Sequence, residues 1–211
     1  GADVLEIRDG EADGAVCGDG ADTVIADVSG VDFLAADCEG RRFDVRPDTE
    51  ILAGPPALTR DRTPSFGFRT TKPGSTLECS LDDRPFASCR SPLALGPVTD
   101  GAHAFRVRAR DALGALDLTP AASVFSVDAT RPRITRLRVA AKRLRYRLSE
   151  DATVTIARRG RTVTRRGHRG ANRIALSALG IHRGHHRLRL TATDAAGNRS
   201  LTRRLALSVR G

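Results

Sequence analysis

The chain has no tryptophan, no methionine and a single tyrosine, Tyr146, and aromatic residues fill only 4% of its 211 positions. Interiors must then be built from Val, Leu, Ile, Ala and seven Phe, which favours several small β modules over one large enzyme core. The missing methionine places the first residue away from a translation start, and the opening residues read as a repeat entered midway, the tail of something longer. No apolar run approaches the roughly 18 residues of a bilayer-crossing helix, and there is no signal-peptide core. Lysine is nearly absent too: Lys72 and Lys142 stand against 33 arginines, a bias that matches the codon usage of a GC-rich genome. Catalytic signatures are also lacking. There is no Gly-x-Ser-x-Gly elbow, no His-Glu-x-x-His and no P-loop, so the expected function is non-enzymatic.

What is present is strongly ordered by charge. Residues 1–46 carry 12 acidic and 4 basic side chains, residues 47–130 carry 10 and 9, and residues 131–211 carry 3 and 22. The overall net charge of +10 hides a dipole along the sequence. Proline-containing stretches at Arg46-Pro47-Asp48-Thr49 and Asp128-Ala129-Thr130-Arg131-Pro132 mark the boundaries. The expected organisation is three modules, 1–46, 47–130 and 131–211, joined by short linkers.

In the acidic part, Asp3, Asp13, Asp22 and Asp32 recur at intervals of 10, 9 and 10. Gly1, Gly20 and Gly30 each stand two positions before one of them, and Gly10 opens a weaker copy, Gly10-Glu11-Ala12-Asp13. The best copy is Gly18-Asp19-Gly20-Ala21-Asp22-Thr23-Val24. Glycines allow tight bends, aspartates supply hard oxygen ligands, and the apolar residue starts a short strand. This segment resembles the RTX, or haemolysin-type, calcium-binding repeats. The resemblance implies a short β-roll-like coil with Ca2+ between stacked turns. Asp3 with Asp22 would serve one side and Asp13 with Asp32 the other, and Gly18, Asp19 and Gly20 would add carbonyl oxygens. In the competing reading the acids are merely solvated on a capping coil.

Four cysteines allow three pairings. Cys79 and Cys89 flank a strand-turn-strand pattern whose turn is Asp82-Asp83-Arg84-Pro85, so the two would meet across a hairpin. Cys17 and Cys38 sit in alternate repeats and would meet if the segment rolls up. Paired local cysteines point to an oxidising, extracellular compartment.

The remaining residues read as strands throughout. In 47–130 the candidates are Ser65–Thr70, Thr76–Leu81, Pro85–Cys89, His103–Arg110 and Ser123–Val127, with Phe105, Val107 and Ala109 facing inward. In 131–211 they are Arg136–Val139, Arg143–Leu148, Thr153–Arg158, Arg161–Arg165, Arg173–Leu176, Arg187–Leu190 and Leu205–Val209. Two segments align: Phe105-Arg-Val-Arg-Ala-Arg-Asp111-Ala-Leu-Gly114 and Leu188-Arg-Leu-Thr-Ala-Thr-Asp194-Ala-Ala-Gly197-Asn198. These resemble tandem bacterial immunoglobulin-like domains, in which Ala-x-Asp-x-x-Gly-Asn forms the turn into the last strand; Ala115 replaces the asparagine in the first copy. Leu77-Glu-Cys79-Ser-Leu81-Asp, Cys89-x-Ser-Pro92, Asp100-Gly-x-His103 and Asp117-x-Thr-Pro120 also resemble a module of exported actinobacterial proteins. The expected fold class is all-β: a roll-like coil followed by two immunoglobulin-like β-sandwiches.

Functional expectations follow from these parts. The chain reads as a non-catalytic secreted or cell-surface fragment, with a calcium-binding segment and monomeric stalk or adhesion modules. The alternative is the carbohydrate- or wall-binding accessory region of an extracellular hydrolase whose catalytic domain lies upstream. The basic part would attract a wall polymer, polysaccharide or other polyanion. Specific nucleic-acid binding is disfavoured, because no helix is available for a groove and Tyr146 is its only aromatic. His182, His185 and His186 read as a polar turn, and Asp194 and Asn198 as residues bonding their own backbone.

Overall fold

A computed structural model describes residues 1–8, 11–27, 32–43 and 45–210 of the chain. Gly10 and Gly30 of the glycine pattern lie outside the described residues. The protein is all-β; among the described residues the single helical element is a 3-10 turn, Ser177–Leu179. Two compact units are formed, one from Gly1–Gly54, Ser65–Ala94 and Ala104–Ser123, the other from Pro55–Pro64, Leu95–His103 and Val124–Gly211.

The first unit begins with a parallel roll of β1 (Val4–Glu6), β2 (Gly14–Ala15), β3 (Thr23–Ala26), β4 (Phe33–Leu34) and β5 (Gly40–Phe43). One side is the parallel ladder β1-β3-β5, the other the pair β2-β4. Parallel pairing of successive coils is what a roll requires, because each strand meets the one a full coil later. The interior is small: Ala15, Val24, Ala26 and Cys38 are buried, with Leu5, Ile7, Cys17 and Leu34 packed around them.

After the roll come β6 (Thr49–Ala53), β7 (Leu58–Thr59), β8 (Ser65–Thr70), β9 (Thr76–Leu81), β10 (Ala87–Cys89), β11 (Leu93–Ala94), β12 (Gly101–Arg110) and β13 (Ala121–Val127). In the first unit β11, β8 and β6 make one antiparallel sheet, and β10, β9 and β12 pair in another. Phe66 and Phe105 stack with centroids 4.1 Å apart, and Phe68 lies 5.8 Å from Phe105. The inward-facing set Phe105, Val107 and Ala109 is at most 1% exposed. Each such side chain is worth about 1.5–3 kcal/mol when fully buried, except the smaller alanine.

In the second unit β13 pairs in parallel with β7. A two-sheet sandwich follows, from β14 (Ile134–Ala140), β15 (Arg143–Leu148), β16 (Ala152–Arg158), β17 (Arg161–Gly167), β18 (Gly170–Ala175), β19 (Gly184–Thr193) and β20 (Arg203–Val209). One sheet has the order β14-β15-β18, the other β17-β16-β19-β20. Alternation decides the layers: Leu144, Tyr146, Leu148, Val154, Ile156, Leu188 and Leu190 form the core, each at most 4% exposed. The intervening arginines of both sheets point away from it.

β6 and β7 are absent from the strand candidates of the sequence and are established by these pairings. β6 escapes a periodicity search because Leu52 is 57% exposed and a register irregularity falls between Ile51 and Ala53.

Candidate functional site

The acidic seam of the roll is built from carboxylates that reach across one coil. Asp22 Oδ1 accepts the Asp3 amide at 2.8 Å, and Asp32 Oδ1 accepts the Asp13 amide at 3.0 Å, each 19 residues along the chain. The expected layers, Asp3 with Asp22 and Asp13 with Asp32, are therefore neighbours. Two further acceptors carry no repeat glycine and were not singled out: Asp37 takes the Gly18 amide at 2.8 Å, and Glu39 takes the Asp22 amide at 3.1 Å. The Gly18 amide, with those of Cys17 and Asp37 itself, outweighs burial and holds the Asp37 carboxyl below its usual range. Asp32 also receives the Asp27 amide through Oδ2 at 2.7 Å.

Gly18 and Gly20 have φ of 77° and 145°, which only glycine adopts freely. A Cβ on Gly20 would stand 1.9 Å from the Gly1 carbonyl oxygen, so no side chain fits there. The exposed Asp19 offers its carbonyl to the N-terminal ammonium at 3.5 Å. Cys17 and Cys38 are joined, as are Cys79 and Cys89, and no free cysteine remains.

The roll is fastened to the sandwich strands of its own unit by a charge cluster that sequence reasoning missed. Arg8 is fully buried and gives Nη1 to Asp111 Oδ2 at 2.7 Å and Nε to Glu6 at 3.0 Å. Lys72 reaches the same Asp111 oxygen at 2.8 Å. Arg46, from the expected linker, bonds the Arg8 carbonyl and gives Nη1 to the Leu116 carbonyl at 3.3 Å. Burial alone would push the Asp111 carboxyl up; the bonds from Lys72 and Arg8, the Ala115 amide and the Arg8 charge outweigh it and hold the carboxyl well below its usual range.

Asp111 and Asp194 occupy equivalent turns. In one, Asp111 Oδ1 accepts the Leu113 and Ala115 amides at 2.9 Å; in the other, Asp194 Oδ1 accepts the Asn198 amide at 2.8 Å. Alanine at 115 thus leaves the turn closed, since the backbone N–H does the bonding. The second oxygens differ. Asp111 Oδ2 meets two cations, whereas Asp194 Oδ2 is shielded without a partner. Asp128, Glu150 and Asp194 bring ligand oxygens within 4.8 Å of one another, the one such trio of His, Cys, Asp or Glu among the described residues. Oxygens so placed could hold a hard divalent cation. Burial, then the charges of Asp128 and Asp194, push the Glu150 carboxyl up against the Ser149 hydrogen bond.

The stretch from Asp128 to Thr130 is bonded along its length. The Asn198 amide donates to the Asp128 carbonyl at 2.6 Å. Asp100 accepts the Ala129 amide at 3.2 Å and the Thr130 hydroxyl at 2.6 Å. The sequence marks this stretch as a short linker, and these bonds hold it along its length.

Of the three histidines expected to form a polar turn, His185 and His186 lie in β19, and His186 is held by structural bonds. His186 is 9% exposed, its Nδ1 lies 3.1 Å from an Arg158 guanidinium nitrogen and its Nε2 lies 2.9 Å from the His182 carbonyl. Because arginine can only donate, Nδ1 accepts and the proton sits on Nε2.

No family model matches the sequence, and no curated protein matches it. The chain is similar in structure to the fibronectin(III)-like modules of Clostridium thermocellum CbhA, at 14% identity and a TM-score of 0.44, over 77% of this chain and 94% of that one. It is similar to a 1.5-MDa bacterial ice-binding adhesin at 15% identity and a TM-score of 0.36, over 84% of this chain and 66% of that one. It is also similar to a tandem repeat from the extending region of a large adhesion protein, at 16% identity and a TM-score of 0.37, over 79% and 50% of the respective chains.

Proposed function

We propose that the chain is a non-catalytic portion of a secreted or cell-surface protein, organised as a calcium-binding acidic roll, 1–46, and two immunoglobulin-like stalk or adhesion modules, 47–130 and 131–211. The observation that carries the reading is the 19-residue register of the seam, which holds Asp22 and Asp32 at fixed heights over Asp3 and Asp13. Carboxylates fixed in this way, beside backbone opened by Gly18 and Gly20, present hard oxygens without further ordering cost. The two disulfides support an oxidising, extracellular setting. The non-catalytic reading is supported by how the ring nitrogens are spent: both of His186, and Nε2 of His103 at 2.8 Å from the Thr99 carbonyl, engage structural partners. Residues 131–211, with 22 basic side chains against 3 acidic ones, draw polyanions to the second sandwich.

Calorimetric titration of the full chain with calcium, against magnesium, tests the calcium reading. Saturable heat with a dissociation constant of about 0.1–1 mM is expected, the range of extracellular modules. Asp22→Asn keeps an oxygen for the Asp3 amide but removes the charge, and should weaken binding about tenfold. Heat unchanged in Asp22→Asn and lost in Glu150→Gln would move the ion to the Asp128 trio and overturn the roll assignment. Silence in the parent would overturn calcium binding altogether.

A further inference from the structure

The outer face of the β14-β15-β18 sheet carries arginines in a pattern that strand order alone would not give. Arg138 is the register partner of Arg145, and Arg145 of Arg173, so three guanidinium-bearing residues form one rung across three adjacent strands. Arg143 and Arg147 stand two positions either side of Arg145 on the same strand and face. Neighbouring strands lie about 4.8 Å apart, and alternate residues of one strand about 6.7 Å, so five positive charges crowd one small area.

Like charges directly opposite each other destabilise a sheet. Among the described residues no salt bridge offsets them: Arg138, Arg143, Arg145, Arg147 and Arg173 pair with no carboxylate. The acids of residues 131–211 are Glu150, Asp151 and Asp194, and none is a register partner on this face. The Arg145 Nε is shielded from solvent and has no hydrogen-bond acceptor. Ala171 and Ala175, opposite Arg147 and Arg143, keep the ground beside the rung low. A trough of 470 Å³ runs along it, lined by Arg136, Arg138, Arg145, Arg147 and Arg173.

The rung depends on a backbone irregularity. The register of β14 against β15 shifts between Thr135 and Arg138. Arg136 sits there at φ 51°, a left-handed conformation unusual for a residue with a side chain. Without the extra residue, Thr135 opposite Arg147 would place Leu137 opposite Arg145 and turn Arg138 to the side of Leu144. With it, Arg138 faces outward beside Arg145. Bulges re-aim side chains in this way.

We infer that the Arg138–Arg145–Arg173 rung is a binding site for a tetrahedral oxyanion, and that its occupant is a phosphate-bearing surface polymer. The inference rests on the proposed attraction of residues 131–211 for polyanions and adds the site and the ligand chemistry. Guanidinium forks pair with oxyanions bidentately. Three forks on one point call for more acceptor oxygens than the two of a carboxylate, and a phosphate group supplies them with a charge of about −1.5 to −2 when terminal. Neutral glycans and unstacked bases find no aromatic platform, since Tyr146 is turned inward and 3% exposed.

The test measures binding of the full chain to polyphosphate, heparin and polygalacturonate at fixed salt. Arg145→Gln is compared with Arg189→Gln, a change of equal charge on the outer side of β19, and thermal melts check that both fold. Polyphosphate is expected to bind best, with affinity reduced about tenfold by Arg145→Gln, the loss of one charge-assisted bond, and less than about twofold by Arg189→Gln. Equal losses in both variants would overturn the site while leaving general polyanion attraction intact. Preference for heparin would assign a sulfated glycan in place of the phosphate polymer, and preference for polygalacturonate would overturn the tetrahedral chemistry. No binding by the parent would overturn the attraction itself.

Discussion

Asp111→Ala is expected to destabilise the first unit by about 3–5 kcal/mol in urea or thermal unfolding. The side chains of Arg8 and Asp111 are 0% and 2% exposed, and removing one member of a buried ion pair leaves the other charged and shielded. Lys72 loses this carboxylate in the same step and keeps the Val45 carbonyl. Asp111→Asn separates the ionic part from the turn, because an amide oxygen still accepts from Leu113 and Ala115. It is expected to cost nearly as much; a cost below about 1 kcal/mol would assign the effect to the turn instead. The pH dependence has a definite sign. The folded carboxyl titrates below the unfolded one, so its contribution is complete at neutral pH and falls away as the pH drops below about 4. Asp111→Asn should flatten that acid limb of the stability curve.

Loss of the Cys17–Cys38 bridge is the second large effect. Among its described residues the roll buries Ala15, Val24, Ile25, Ala26 and Cys38, too little apolar surface to outweigh the entropy of ordering its coils. The bridge closes a sequence separation of 21, which in the chain-entropy picture is worth about 3 kcal/mol. Cys17→Ser with Cys38→Ser is therefore expected to unfold the seam locally, seen as rapid proteolysis before Arg46. Cys79→Ser with Cys89→Ser removes a bridge that closes a separation of only 10, in a hairpin already paired along β9 and β10, and should cost less. Equal resistance of parent and Cys17/Cys38 variant to protease would contradict this.

Much of the fold is written in local pattern. Ser65–Thr70 and Arg143–Leu148 are strands at the bounds the alternation predicts, because one face of each is buried; Thr76–Leu81 also keeps its bounds, although Ser80 is its only buried residue. The layers joining Asp3 to Asp22 and Asp13 to Asp32 are legible from spacing, since stacked coils turn a sequence interval into a vertical neighbour. Asp37 and Glu39 were not, as no glycine precedes them to flag a repeat. Arg8 was illegible for a different reason: it is a lone base in an acidic stretch, and its partner lies 103 residues away. Asp111 was read as a turn residue, which accounts for Oδ1 but not for Oδ2. The arginine rung needs cross-strand register and a bulge, neither of which alternation along one strand encodes.

The most direct test of the acidic roll is amide hydrogen exchange on the full chain in calcium-free buffer. The amides of Asp3, Asp13, Gly18 and Asp22 donate to carboxylates of Asp22, Asp32, Asp37 and Glu39. They are expected to exchange at least about a hundredfold more slowly than in an unstructured peptide. Exchange of those four amides at peptide rates, while β12 and β15 remain protected, would contradict the stacked seam on which the calcium reading stands.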